Sequence, residues 1–172
     1  MIPGGYSDWS DFEGRMRRLG FSNDPGAHIA RLISPSGDPV DLLCVDGQEL
    51  GSNEWYGEAC RTAIRSDVLG VRVVDPLVFL ATKVAAHKSR GRDRYEDKDL
   101  EDVVRCLLGW PELADDVETS RLPVARYVRF ELRGIATADD GPERFSAAYF
   151  GDSRSQDRVR ALLARVLRWG RR

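Results

Sequence analysis

The sequence is poor in the residues that build metal centres and covalent active sites. It has three cysteines, Cys44, Cys60 and Cys106, and two histidines, His28 and His87. The cysteines are odd in number and far apart, so they offer no metal-like pair and no disulfide framework. Their expected role is that of small apolar side chains in a reducing compartment. Neither histidine has a cysteine or second histidine at ligand spacing, which argues against zinc. No serine sits in a nucleophile elbow, and Gly4-Gly5 lies too near the N-terminus to be a phosphate loop after a strand. No apolar run reaches the roughly 20 residues of a membrane span. Residues 1–6 are neither basic nor followed by an apolar segment, so no secretory signal is visible and a cytoplasmic location is expected. An excess of one charge is also missing: 26 Lys and Arg face 28 Asp and Glu. Without a global field, any binding of a polyanion has to come from a local patch.

What is present is a chain of 172 residues, 42% hydrophobic and 31% charged, enough to bury a core. Residues 10–19 read as a helix, with Phe12, Met16 and Leu19 at helical spacing, Ser10 or Asp8 as its cap, Gly20 as its stop and Phe21 as an apolar anchor beyond. Residues 28–33 and 40–45 read as strands around the turn cluster Pro35, Ser36, Gly37 and Asp38, which makes an antiparallel hairpin. Residues 46–58 form a polar loop leading into a short helical or extended connection. Residues 69–74 read as a third strand. A helix over 76–88 follows, opened by Asp75-Pro76 and striped with Leu77, Leu80, Ala81, Val84 and Ala85. After a charged loop over 89–98, Asp97 or Asp99 starts a helix to about Leu108, with Leu100, Val103, Val104 and Leu107 on one face. Gly109-Trp110-Pro111 ends it. Residues 113–117, 124–136 and 156–169 read as further helices, and 137–144 as a turn. The order implies an α+β fold, a small mixed or antiparallel sheet with a helical C-terminal portion. The division expected is a core over 1–108 and helices over 109–172.

Three places carry polar residues that need a reason. Asp41 lies within an apolar strand, where an unpartnered carboxylate is costly. It either pairs with Arg31 or Arg72, or coordinates a hard divalent cation. Lys83, His87 and Arg90 share one helical face. Asp99 and Asp102 share a face of the next helix, and Asp99 lies where the free N–H groups and the dipole favour a carboxylate. Two such helices set a cationic row against a carboxylate pair. That row is either a salt-bridge network fixing helix packing, or a phosphate site in which Lys83 and one or more of Arg90, Arg92 and Arg94 hold a nucleotide.

The run Val73 to Val104, V-V-D-P-L-V-F-L-A-T-K-V-A-A-H-K-S-R-G-R-D-R-Y-E-D-K-D-L-E-D-V-V, resembles a block of the nucleotidyltransferase-fold proteins related to the AbiE-type toxins of bacterial toxin–antitoxin and abortive-infection systems. In that block a Pro-initiated helix ends in an x-L-x-x-K-L-x-A-x-x-x-R-G pattern and a K-D-x-x-D-I-like helix start follows. The segments R-R-L-G-F and G-D-P-V-D-L-L-C-V-D are similar to the family helix and strand upstream, so the resemblance covers about residues 12–108. It implies a nucleotidyltransferase-like fold and metal-dependent transfer of a nucleotidyl group from an NTP, with Mg2+, to a hydroxyl of RNA or protein. It assigns Asp41 as the third metal-binding carboxylate, Lys83 as the phosphate-contacting lysine, and Asp99, with Asp102, as the later acid. Arg90 and Arg92 would join Lys83 on the nucleotide, and an antitoxin or RNA is the implied partner.

The family's glycine-serine loop and D-x-D strand have no counterpart ahead of the first helix. Asp8 and Asp11 are spaced D-x-x-D, and only alternate positions on a strand face one way; they are expected to cap the helix. The expectation is therefore a chain shortened at its N-terminus, with weak or absent transferase activity. Three functions follow: an active transferase whose frame begins upstream, a non-catalytic module of the same fold that binds a nucleotide or partner, and a small α+β protein that assembles with a partner.

Overall fold

The computed structural model describes residues 6–28, 30–43, 45, 53–68, 70–90, 97–149 and 153–169. The first helix, α1 (Tyr6–Arg18), begins before Ser10 because its apolar stripe begins at Trp9. Trp9 is buried, and Phe12 and Met16 follow it onto the same cluster. Asp8, Ser10 and Asp11 therefore all fall inside the helix rather than ahead of it. The C-terminal stop is as the sequence indicates. Gly20 takes a φ of 90° and donates to the Arg17 carbonyl, while the Phe21 N–H reaches back to Met16 at 3.1 Å. This paired closure needs the left-handed residue that glycine supplies. It turns Phe21 back onto the cluster of Trp9, Ala30, Leu32 and Leu42.

Three short antiparallel strands cover that cluster: β1 (Ser22–Asn23), β2 (Arg31–Ile33) and β3 (Pro39–Asp41), in spatial order β1-β2-β3. The hairpin predicted around Pro35–Asp38 is present, with Leu32 opposite Val40 and Arg31 opposite Asp41. Its strands are shorter than the apolar runs imply. Pro39 has no N–H to give to the ladder. A helix α2 (Tyr56–Thr62) follows.

The chain gathers into two compact units, residues 1–61 and 62–172. The second unit opens with a hairpin of β4 (Ile64–Arg65) and β5 (Arg72–Val73). The strand expected over 69–74 is thus two residues long. It pairs with β4, which no sequence pattern announced, in a sheet of its own. The fold class is mixed α+β with helix predominating, and both sheets are small and antiparallel.

Among the described residues, the rest of this unit is built of the helices α3 (Pro76–Arg90), α4 (Lys98–Gly109), α5 (Pro111–Thr119), α6 (Pro123–Thr137), α7 (Gly141–Ala147) and α8 (Ser153–Val166). Asp75 caps α3 by accepting from the Leu77 and Val78 N–H groups, and Pro76 has no N–H to leave unsatisfied. α3 packs on α4 and α6, and α8 packs on α4, α6 and α7. The helices on either side of residue 108 therefore share one unit. Leu80 and Val84 of α3, Val103 and Val104 of α4, Val128 and Leu132 of α6 and Val159 of α8 are all buried within it.

The turn expected over 137–144 is corrected by the structure: it gives way to α7 at Gly141. Glycine is required there by a close approach. A Cβ would strike the carbonyls of Ile135 and Ala136, the latter at 2.7 Å. α7 also inserts Phe145, which is wholly buried.

Candidate functional site: the seam between α3 and α4

Two polar clusters bridge α3 and α4. Lys83 projects from α3, and its ammonium lies 2.7 Å from Asp102 and 3.3 Å from Asp99 of α4. The Lys83 side chain is 26% exposed and that of Asp102 40%, so water and small solutes reach the cluster. The ammonium also lies 5.6 Å from the centre of the Phe79 ring, over its face. Burial lowers the Lys83 pKa, but the hydrogen bond and charge of Asp102, with Asp99 behind, outweigh it and hold the group above its ordinary 10.5. One cation facing two carboxylates leaves the cluster with a formal excess of one negative charge.

One turn further along α3 lies His87, only 2% exposed. Its Nδ1 is 2.5 Å from Asp97 Oδ2, and its Nε2 is 3.4 Å from Arg144 Nη2 of α7. An imidazole that donates through Nδ1 to Asp97 presents Nε2 as an acceptor to Arg144. The other Asp97 oxygen caps α4, accepting from the N–H groups of Asp99 and Leu100. Asp97 thus starts α4 and also anchors it to α3. Beside this seam, Lys88 joins α3 to Glu131 of α6 at 2.6 Å.

Lys83, Asp99 and Asp102 are therefore brought together as the helix spacing predicts. Asp41 belongs to the first unit. Its carboxylate accepts two parallel bonds from Arg31, at 2.7 and 2.8 Å, and Arg31 stands directly opposite it in the hairpin. The pair is exposed, so the buried-carboxylate problem raised by the strand pattern does not arise. The Arg31 hydrogen bond holds the Asp41 carboxyl below its ordinary 3.8. Arg72, the other partner considered, donates to the Ala63 carbonyl. The Arg90 side chain, Arg92, Arg94 and Cys44 lie outside what is described. Among the described residues no group of three His, Cys, Asp or Glu side chains is placed to hold a metal ion. Cys106 is near the cluster, but burial first and the Asp102 charge second push its thiol above 9.0. That is opposite to what a nucleophile requires.

Sequence reasoning missed Arg144, which lay in a segment read as a turn. It found the Asp97 cap but not the bond to His87. The signal for a buried His87 was its spacing of seven and three residues from Leu80 and Val84 on the apolar stripe. Comparison with protein-family models, with curated proteins and with solved structures returns no match.

Proposed function

We propose that this chain is a nucleotidyltransferase-like protein that binds a magnesium nucleoside triphosphate, Lys83 on a phosphate and Asp99 and Asp102 on the magnesium. The observation that supports this reading is the convergence of one lysine and two aspartates at a solvent-reachable seam, within the sequence block that resembles the family. Magnesium binds through one or two carboxylates shared with substrate phosphates rather than in an all-protein cage. Asp99 and Asp102 fit such a shared ion by type and number. When bound, the ion neutralises phosphate charge and positions the phosphoryl group. Lys83 then exchanges its contact with Asp102 for a phosphate oxygen, as a point-charge donor. Arg90, the last residue of α3, and Arg92, two positions on in the sequence, supply further cations. Transfer of the nucleotidyl group to an RNA or protein hydroxyl is the activity that the resemblance implies.

A second reading is favoured by the ion pairs themselves: the cluster, with His87–Asp97–Arg144 behind it, locks α3 against α4 and binds nothing. Titration with each of the four NTPs, with and without magnesium, separates the two. The first reading expects binding that needs magnesium and weakens at least tenfold in Lys83→Ala. Absence of heat or shift at millimolar nucleotide in both conditions overturns it and leaves the packing lock, which expects only a lower Tm in the variant.

A further inference from the structure

The outer face of α6 carries a pattern that the α3–α4 seam does not use. Arg126, Arg129, Phe130 and Arg133 fall at i, i+3, i+4 and i+7, the spacing of one helical stripe. Such a stripe is ordinarily apolar and buried. Here it holds three guanidinium groups and a phenyl ring that is 77% exposed. These four residues and Trp169 line a recess of about 270 Å³. Arg129 is fixed in place, its Nη1 donating to the carbonyls of Val117 and Ser120 between α5 and α6. Arg126 and Arg133 form no ion pair among the described residues. Trp169 is only 2% exposed, and its buried indole N–H has no acceptor there. The chain as a whole is slightly acidic, so this cationic stripe is local.

The geometry points to a binding face for single-stranded nucleic acid, in which Arg126, Arg129 and Arg133 contact phosphates and Phe130 stacks on a base. An exposed aromatic ring among arginines serves a ligand that alternates negative charge with flat rings. A carboxylate peptide would use the arginines and leave the ring idle. The recess beside Phe130 accommodates a splayed base edge. This face is independent of the nucleotide site proposed at Lys83.

The test is fluorescence anisotropy of the full chain with labelled 12-nucleotide single-stranded RNA and DNA, duplexes of the same sequence, and a glutamate 12-mer, at several salt concentrations. Single strands are expected to bind better than duplex and better than the peptide. Phe130→Ala, at an exposed position, should weaken single-strand binding about 5- to 150-fold, the range for loss of one stacked base. Arg126→Glu with Arg133→Glu should weaken it at least about tenfold and reduce the salt slope by about 1.4, two phosphate contacts' worth. Lys83→Ala should leave it unchanged, so failure of the nucleotide site does not touch this result. Unchanged affinity in the Phe130 variant, equal binding of the glutamate peptide, or no single-strand binding at low salt overturns the proposal. Equal peptide binding would instead assign the face to an acidic protein partner.

Discussion

Replacing Asp97 with alanine removes two interactions that meet in one carboxylate. Its Oδ1 caps α4 at 2.9 and 3.3 Å from two N–H groups, and loss of such a cap costs about 0.5–2 kcal/mol. Its Oδ2 takes the bond from His87, which is 2% exposed. Stranding that donor costs about 1–3 kcal/mol. The two do not share an oxygen, so the expected loss is about 1.5–5 kcal/mol, centred near 3. Set against a total stability of about 5–15 kcal/mol, this is a large fraction. For a chain of this length the central value corresponds to a fall in Tm of about 6–12 °C. Urea unfolding followed by far-ultraviolet circular dichroism measures it. Asp97→Asn is the informative companion, because asparagine caps as well as aspartate but has a single oxygen, so its NH2 group replaces the acceptor that faces His87. It should keep the cap and lose the His87 bond, about 1–3 kcal/mol. A loss below about 0.5 kcal/mol in Asp97→Ala would show that the cap and the histidine bond do not hold the seam. Equal losses in the two variants would show that the cap contributes nothing and would refute the capping argument.

Two further outcomes follow from geometry elsewhere. Gly141→Ala should destabilise by about 1–3 kcal/mol, because the new methyl group meets backbone carbonyls of α6 rather than a side chain able to move aside; a neutral or raised Tm would mean that α7 does not approach α6 as described. The Asp41 carboxyl is held below 3.8 by Arg31, so its contribution to stability is present above that value and is lost as the pH falls through the lower folded value. Carbon-detected NMR titration should therefore place its midpoint below 3.8 and move it upward in Arg31→Ala, and an unmoved midpoint would refute the pairing.

The parts of the fold legible in the sequence are those where a long stripe and a cap agree. α3 and α4 have both: Asp75-Pro76 and Asp97 mark their starts, and Leu80, Val84, Val103 and Leu107 mark their buried faces. α7 has neither. It is seven residues long, it opens on Gly-Pro, and its buried residues include Arg144, which breaks the apolar pattern. Its partner His87 is 57 positions away, a pairing that no local spacing encodes. β4 is too short for an alternation to register. Asp41 misled for a related reason. Its apolar neighbours imply a buried strand, but the strand ends at that residue, and the exposure of a strand end is decided by what packs around it.

The candidate site was legible to the same extent. The i, i+3 spacing of Asp99 and Asp102 and the placement of Lys83 fix which residues face the seam, because both helices are regular. The antiparallel pairing then follows from the contacts: Lys83 meets residues 99 and 102, while His87, a turn later, meets Asp97, earlier in α4. Rising numbers on one helix meet falling numbers on the other. This arrangement gives the two clusters different tasks. The buried histidine pair is inaccessible to a ligand and can only fix the register. The Lys83 cluster is half open, and its partners depend on that register, since Asp99 lies two residues and Asp102 five residues past the Asp97 cap. A slip of α4 by a single residue would rotate both aspartates by about 100° away from Lys83. The buried histidine pair therefore fixes the register that the site proposed at Lys83 requires, with its carboxylates held in place before a ligand arrives.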